Sequence, residues 1–215
     1  MKVTSIEFGQ VTWIVDVSMS PGRMYFPEAL QKIQERYGFV KAPNINELLS
    51  PQPNTVFEHG KFGDHVIQKF SIHTDGFLAN SQAGTDATEQ FLDDLLNWSK
   101  EEFGAVELDI NDSYRVYDSH LMAQLDINFM RQMKFTNFIS SQIEKKRESY
   151  GLTPFEYVAS GFVLSSDNFT SNLAPTSFTI ERRAGQPFKN NLYLSKAPLR
   201  TNDHIKLLEN IEASI

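Results

Sequence analysis

Hydrophobic and polar residues alternate along several stretches of the chain, and this period predicts β-strands. Residues 2–18 follow it closely, and Gly9-Gln10 predicts a turn between two strands there. Residues 55–82 follow it less regularly and predict two or three strands, with Asp75-Gly76 as the centre of a hairpin turn. Further strands are predicted at 114–127 and 155–164 and in a hairpin formed by 177–183 and 192–195.

Apolar residues spaced three and four apart predict helices between these strands. The clearest is 86–103, in which Asp86 and Glu89 have the spacing of a capping box. Pro27 and Gly38 mark the ends of a helix at 27–37. Two more helices are predicted at 129–150 and 202–212. The apolar side chains that we expect to line the helix at 129–150 are Met130, Met133, Phe138, Ile139 and Ile143.

The order of these elements predicts an α+β fold. Strands come in hairpin groups separated by helices, which favours a twisted, largely antiparallel sheet with three or four helices packed on it. A chain of 215 residues suits a single domain, here 1–215. The segment 40–54, which contains three prolines, is the best candidate for a linker.

The amino-acid composition says more about where in the cell the protein is found than about its function. The chain has no cysteine, which excludes disulfides and thiolate chemistry and favours a reducing compartment. Its first twenty residues lack the apolar core of a signal peptide, and no apolar run approaches the roughly 20 residues of a membrane span. We therefore expect a cytoplasmic protein that does not bind membranes.

Charge is divided unevenly along the chain. Residues 86–112 carry nine acidic side chains and one basic one, whereas residues 181–206 carry six basic side chains and two acidic ones. Charged surfaces of opposite sign orient a partner. The candidate partner-binding residues are Arg182, Arg183, Lys189, Tyr193, Lys196 and Arg200 in the basic segment, and Asp93, Asp94, Glu101 and Glu102 in the acidic helix.

Catalytic motifs are absent from the sequence. There is no Gly-x-Ser-x-Gly elbow, no phosphate-binding loop and no dinucleotide-binding glycine pattern, so we predict no cofactor and no catalytic residue. The leading hypothesis is a non-enzymatic interaction protein, such as an accessory subunit of a larger intracellular assembly. It would bind a protein partner, or a second copy of itself, through a polar, charge-complementary surface.

Two alternatives remain open. Glu107 and Asp109, together with His59, His65 and His73, would offer ligands to a metal-dependent hydrolase or nuclease. Asp109, however, occupies the position at which the Glu-x-Lys motif of restriction-type nucleases has its lysine. The basic hairpin, in which arginines and aromatic rings are interleaved, would suit nucleic acid. The net charge of −7 disfavours that partner, because affinity for nucleic acid comes mostly from neutralised phosphates.

Overall fold

The computed structural model describes residues 1–15, 26–43, 55–103, 113–153, 155–167 and 175–215. Among these residues are four α-helices, α1 (Phe26–Tyr37), α2 (Thr85–Phe103), α3 (Lys134–Ser149) and α4 (Thr201–Ala213), and two short 3₁₀ helices, Phe129–Gln132 and Phe188–Asn190. The strands are β1 (Lys2–Ile14), β2 (Thr55–Phe62), β3 (His65–His73), β4 (Gly76–Ser81), β5 (Tyr114–Gln124), β6 (Gly161–Leu164), β7 (Phe178–Arg182) and β8 (Leu192–Ala197).

The strands form an antiparallel sheet in the order β2-β3-β4-β1-β5-β8-β7-β6, which confirms the predicted α+β class. The chain divides into two compact units. The N-terminal unit comprises Ile6–His120 and Pro198–Thr201, and the C-terminal unit comprises Met1–Ser5, Leu121–Ala197 and Asn202–Ile215. The predicted linker lies mostly outside the described residues, so it stays a prediction.

Aromatic rings dominate the core of the N-terminal unit. Phe91 of α2 is fully buried, and its ring lies 5.5 Å from that of Phe70 in β3 and 4.9 Å from that of Tyr37 in α1. Phe57 of β2 packs on Phe70 at 5.6 Å. Such ring pairs add a directional preference to the burial of apolar area. The side of α2 that carries Phe91 is therefore the side that packs on the sheet.

Two predicted turns differ from the structure. β1 runs from Lys2 to Ile14 without a turn, and Gly9 pairs with Ser81 of β4 in the middle of the strand. In the β3–β4 hairpin, His73 pairs with Gly76, so the two loop residues are Thr74 and Asp75 rather than Asp75 and Gly76. Both glycines lie within strands, where a glycine admits close approach of another backbone.

β7 and β8 of the C-terminal unit form the hairpin that the sequence predicts. Ile180 of β7 pairs with Ser195 of β8, and both are buried. Tyr193, at the start of β8, is also fully buried, as is His204 of α4. The Nε2 atom of His204 lies 2.8 Å from Oγ of Ser195, so this buried pair is satisfied inside the unit.

The helix predicted at 129–150 is interrupted. Its first turn is the 3₁₀ helix Phe129–Gln132, and Met133 is extended, so α3 begins at Lys134. Met130 is buried, but α3 has no buried side chain: Phe138, Ile139 and Ile143, which were expected to line a helix packed on the sheet, are exposed.

The strand predicted at 155–164 is also shorter than expected. It forms only over Gly161–Leu164, because the segment before it hydrogen-bonds to α3 instead. The exposed apolar side of α3 and the shortened strand are related, because the segment before β6 contacts the polar side of α3.

Candidate functional site

Most of the predicted acidic surface on α2 is paired within the N-terminal unit. The Asp94 carboxylate accepts hydrogen bonds from Arg36 at 3.1 Å and from the Tyr37 hydroxyl at 2.6 Å. Arg115 of β5 donates to Asp93 at 2.5 Å. In a separate pair, Lys32 of α1 donates to Glu102 at 2.6 Å. Glu101, the fourth predicted residue, is exposed.

Glu89, the acidic residue of the predicted capping box, lies at the centre of a polar cluster. Its Oε1 atom accepts hydrogen bonds from Arg115 at 2.6 Å, from the Tyr117 hydroxyl at 2.8 Å and from Arg200 at 3.1 Å. The Arg115 guanidinium also lies 3.9 Å from the ring centre of Trp13. Arg200 belongs to the predicted basic set and contacts the acidic helix, so within this unit the two charge regions partly neutralise each other.

The cluster lowers the pKa of Glu89. Burial alone would raise the pKa of this carboxyl group, but the hydrogen bonds from Arg115 and Tyr117, together with the charges of Arg115 and Arg200, outweigh burial and hold it below 4.5. The pKa of Glu89 is lower in the folded state than in the unfolded state. The contribution of this cluster to the free energy of unfolding is therefore fully present above the unfolded-state pKa of the carboxyl group. It is lost as the pH falls through the folded-state pKa.

We expect Glu89→Gln to reduce the free energy of unfolding at pH 7 by about 1–3 kcal/mol, because charged hydrogen bonds to two arginines are lost. The difference between the variant and the wild type should shrink as the pH falls below about 4.5. Urea unfolding at a series of pH values measures both effects. Glu101→Gln, at an exposed position on the same helix, is the control and should differ little from the wild type at any pH. A Glu89→Gln deficit that did not change with pH would contradict this assignment.

The basic hairpin is less available to a partner than its sequence indicates. The Arg182 guanidinium stacks on Phe188 at 4.4 Å and donates to the carbonyl of Phe188 at 2.9 Å. Tyr193 is buried and Lys196 is half-buried. Arg183 and Lys189 are exposed, and no ion pair joins either of them to another described residue. Two exposed cations therefore remain on this hairpin.

The histidines of the metal-site alternative are spread along the first hairpin. His65 and His73 stand at opposite ends of β3, and His59, in β2, has a left-handed backbone with φ of 58°. Among the residues that the structure describes, no three His, Asp or Glu side chains are grouped to hold a metal ion. Glu107 and Asp109 lie outside the described residues.

The most unusual surface of the C-terminal unit is an apolar face on α3. We define the α3 face as Phe135, Phe138, Ile139 and Ile143, whose exposed fractions are 73%, 60%, 41% and 38%. These positions are spaced by three, one and four residues, so they form one stripe along the helix. A stripe of this kind is normally the side of a helix that packs on a core.

The opposite, polar side of α3 makes the intramolecular contacts. The Ser140 hydroxyl donates to the carbonyl of Tyr157 at 2.6 Å, and the Tyr157 N–H donates to Glu144 at 3.4 Å. Arg147 lies over the ring of Phe155 at 5.2 Å, and Arg131, in the 3₁₀ helix that precedes α3, forms an ion pair with Glu156. The helix therefore uses its polar face for folding and leaves its apolar face in solvent.

A polar cleft of about 330 Å³ lies on the same inner side of α3. Its lining includes Arg131, Asn137, Ser140, Glu144 and Glu156. Most of these side chains already hydrogen-bond to one another or to the segment 155–158. Their polar groups mainly hold that segment against the helix.

The sequence does not predict that the α3 face is exposed, because the spacing of apolar residues along a helix does not determine which residues solvent reaches. The spacing of Phe138, Ile139 and Ile143 identifies an amphipathic helix and its apolar stripe. It does not indicate which stripe faces the rest of the chain. The polar side contains Ser140 and Glu144, residues that ordinarily face water. No local signal marks them as the packed side.

Comparison with known proteins does not assign a class. A scan against protein-family models finds no match, and searches of curated proteins and of solved structures likewise find no significant match. Over the described part of the chain, no helix combines the length and the apolar character that crossing a membrane requires.

Proposed function

We propose that this protein is a non-enzymatic interaction protein, an accessory or assembly subunit that binds a protein partner in a larger intracellular complex. The observation that carries the proposal is the α3 face. It places two phenylalanine and two isoleucine side chains together in solvent. Contiguous exposed apolar patches on soluble domains commonly mark interaction surfaces.

The α3 face supports this function better than the charged surfaces do. Asp93, Asp94 and Glu102 are already paired with cations of their own unit, so a partner would have to displace those cations. Burying an apolar side chain against a partner requires no such exchange, and it contributes about 25 cal/mol per Å² of apolar area. The proposed binding surface is therefore apolar at its centre rather than purely charge-complementary.

A single charged substitution on the α3 face tests the proposal. We expect Ile139→Glu to reduce the amount of a stoichiometric partner that co-purifies with the tagged protein from its native cells by at least about tenfold, which corresponds to 1.4 kcal/mol. The physical reason is that the new carboxylate would be desolvated in the complex. The measurement is quantitative mass spectrometry of the purified material.

Val66→Glu is the matched control. Val66 is half exposed, on β3 of the N-terminal unit, and receives the same charge. We expect this variant to retain the partner. Equal recovery of the partner with both variants, or equal loss with both, would contradict a role of the α3 face in binding.

A further inference from the structure

Three lysines share the side of α3 that carries the apolar residues. At 100° per residue, Phe138 and Ile143 bound an arc of about 140° on the helix surface. Lys146 lies inside this arc, seven residues after Ile139, and Lys145 and Lys134 lie just outside its Phe138 edge. All three lysines are exposed, and no ion pair connects any of them to another described residue.

The acidic residues of the helix lie elsewhere on its surface. Glu144 projects from the packed side, where it accepts hydrogen bonds from Ser140 and from the Tyr157 N–H. Glu148 lies on the far side of Lys134 from the apolar arc, by the same 100° rule. The α3 face is therefore an apolar stripe accompanied by positive charge alone.

We propose that the α3 face binds an acidic amphipathic helix of a partner protein. This inference rests on the proposed function and specifies the chemistry of its partner. Apolar residues of the partner would pack between Phe135, Phe138 and Ile143, and flanking aspartates or glutamates would pair with the lysines. The spacing of the α3 face matches helix-to-helix packing, in which rows of side chains three and four residues apart interlock.

A second copy of this chain fits the surface poorly. A symmetric contact between two α3 helices would bring three lysines toward three lysines, and like charges repel in an interface. The acidic helix of a second copy, α2, could not supply the apolar contacts either. Its Phe91, Leu92 and Leu95 are buried in their own core.

An anionic membrane also fits less well than a protein. Gln142 and Lys146 both lie within the arc bounded by Phe138 and Ile143, so insertion of the face into lipid would carry an amide and an ammonium group toward the acyl chains. A protein partner can place a carboxylate opposite the ammonium group. The charge inside the apolar arc thus favours a protein.

The test uses synthetic peptides and the full chain. An amphipathic peptide of about 18 residues, with leucines at helical spacing and glutamates beside them, is labelled and titrated with the protein by fluorescence anisotropy. A matched peptide carries lysines in place of the glutamates. We expect the acidic peptide to bind at least about tenfold more tightly than the basic one, a difference of 1.4 kcal/mol.

Charge reversal on the protein makes the test specific. The double variant Lys145→Glu/Lys146→Glu should invert the preference between the two peptides, and Ile139→Glu should abolish binding of both. Both sites are exposed, and circular dichroism checks that the fold is retained. Equal affinity for the two peptides, or an unchanged preference in the double variant, would overturn the proposal. So would sedimentation with phosphatidylserine vesicles without binding of the acidic peptide.

The same variants separate this inference from the proposed function. If the native partner is lost with Ile139→Glu but is retained with Lys145→Glu/Lys146→Glu, the interaction function stands and the acidic chemistry is wrong. If the native partner is retained with Ile139→Glu, the proposed function itself is wrong.

Discussion

Phe91→Ala should lower the free energy of unfolding of the N-terminal unit by about 3–5 kcal/mol, because it leaves a cavity in a closely packed cluster of rings. The Phe91 ring is completely buried and lies within 6.5 Å of the rings of Tyr37, Phe39, Phe62 and Phe70. These rings come from several elements, so relaxation at one of them cannot close the space. The expected loss is a large fraction of the stability of an ordinary domain.

Tryptophan fluorescence during urea unfolding measures this effect in the right part of the chain. Both tryptophans, Trp13 and Trp98, belong to the N-terminal unit, so the signal follows the unit that contains Phe91. Phe135→Ala is the matched control, because it removes the same ring from a position that is 73% exposed. Followed by circular dichroism, this control should stay within about 0.5 kcal/mol of the wild type. Comparable losses in the two variants would show that the ring on α3 is packed and would contradict the exposed α3 face.

Elements with a strong period and a clear end could be predicted from the sequence. Helix α2 begins one residue before its predicted start and ends at Phe103 as predicted. α1 ends at Tyr37, where Gly38 adopts a φ of +59° and the Phe39 N–H donates to the carbonyl of Gln34. A left-handed residue at this position is common at helix ends, and glycine adopts it without steric cost. Local chemistry is sufficient in these cases.

The exposure of the α3 face depends on contacts with distant parts of the chain, which the local sequence does not specify. The same helical period that places Phe91 in a core also describes Phe138, which is exposed. The difference arises from partners far along the chain: sheet strands cover the apolar face of α2, whereas the segment containing Tyr157 hydrogen-bonds to the polar face of α3. A sequence pattern shows that a helix has an apolar side but not whether that side is covered.

The number of acidic residues in a segment likewise does not show whether they are exposed or paired. The nine acidic residues of 86–112 suggested an open acidic surface, yet Asp94 pairs with Arg36 and Asp93 with Arg115. These partners are separated by 58 and 22 positions in the chain, so the pairs become visible only in the folded structure. Residues 104–112, which include three of the nine, lie outside the described part. The count therefore describes the sequence better than it describes a binding surface.

Gly9 lies in the middle of β1 and not in the turn that its sequence predicts, and its place in the structure has a measurable consequence. β1 continues through Gly9, which pairs with Ser81 of β4, and the start of α2 approaches the strand at this residue. A β-carbon built on Gly9 would lie 2.3 Å from the backbone carbon of Gly84 and 2.5 Å from the backbone nitrogen of Thr85. The Thr88 hydroxyl also hydrogen-bonds to the Gly9 carbonyl at 2.9 Å. The glycine is required by close backbone packing and not by a turn.

The backbone that meets Gly9 is firmly held. The Thr85 N–H donates to the Thr201 hydroxyl at 2.9 Å, and the Thr201 N–H donates to the Thr85 hydroxyl at 2.8 Å. Each threonine thus supplies a hydrogen-bond acceptor at the start of the other's helix, where backbone N–H groups lack intrahelical partners. Gly84 has a φ of +93°, and a β-carbon built on it would lie 3.0 Å from the Thr201 hydroxyl oxygen, so Thr201 packs closely on this glycine.

Gly9→Ala should therefore destabilise the N-terminal unit by about 3 kcal/mol, near the upper end of the range for overpacking, since the added methyl group meets backbone rather than a movable side chain. Tryptophan-monitored urea unfolding is the measurement. Gly38→Asn is the control within the same unit: apart from Gly38 and its two chain neighbours, no atom of the protein lies within 4 Å of its β position, and asparagine tolerates a left-handed backbone. We expect it to cost less than about 1 kcal/mol. If Gly9→Ala were as stable as the wild type, the close contact between β1 and the start of α2 would be absent, and Gly9 would have no structural reason to be glycine.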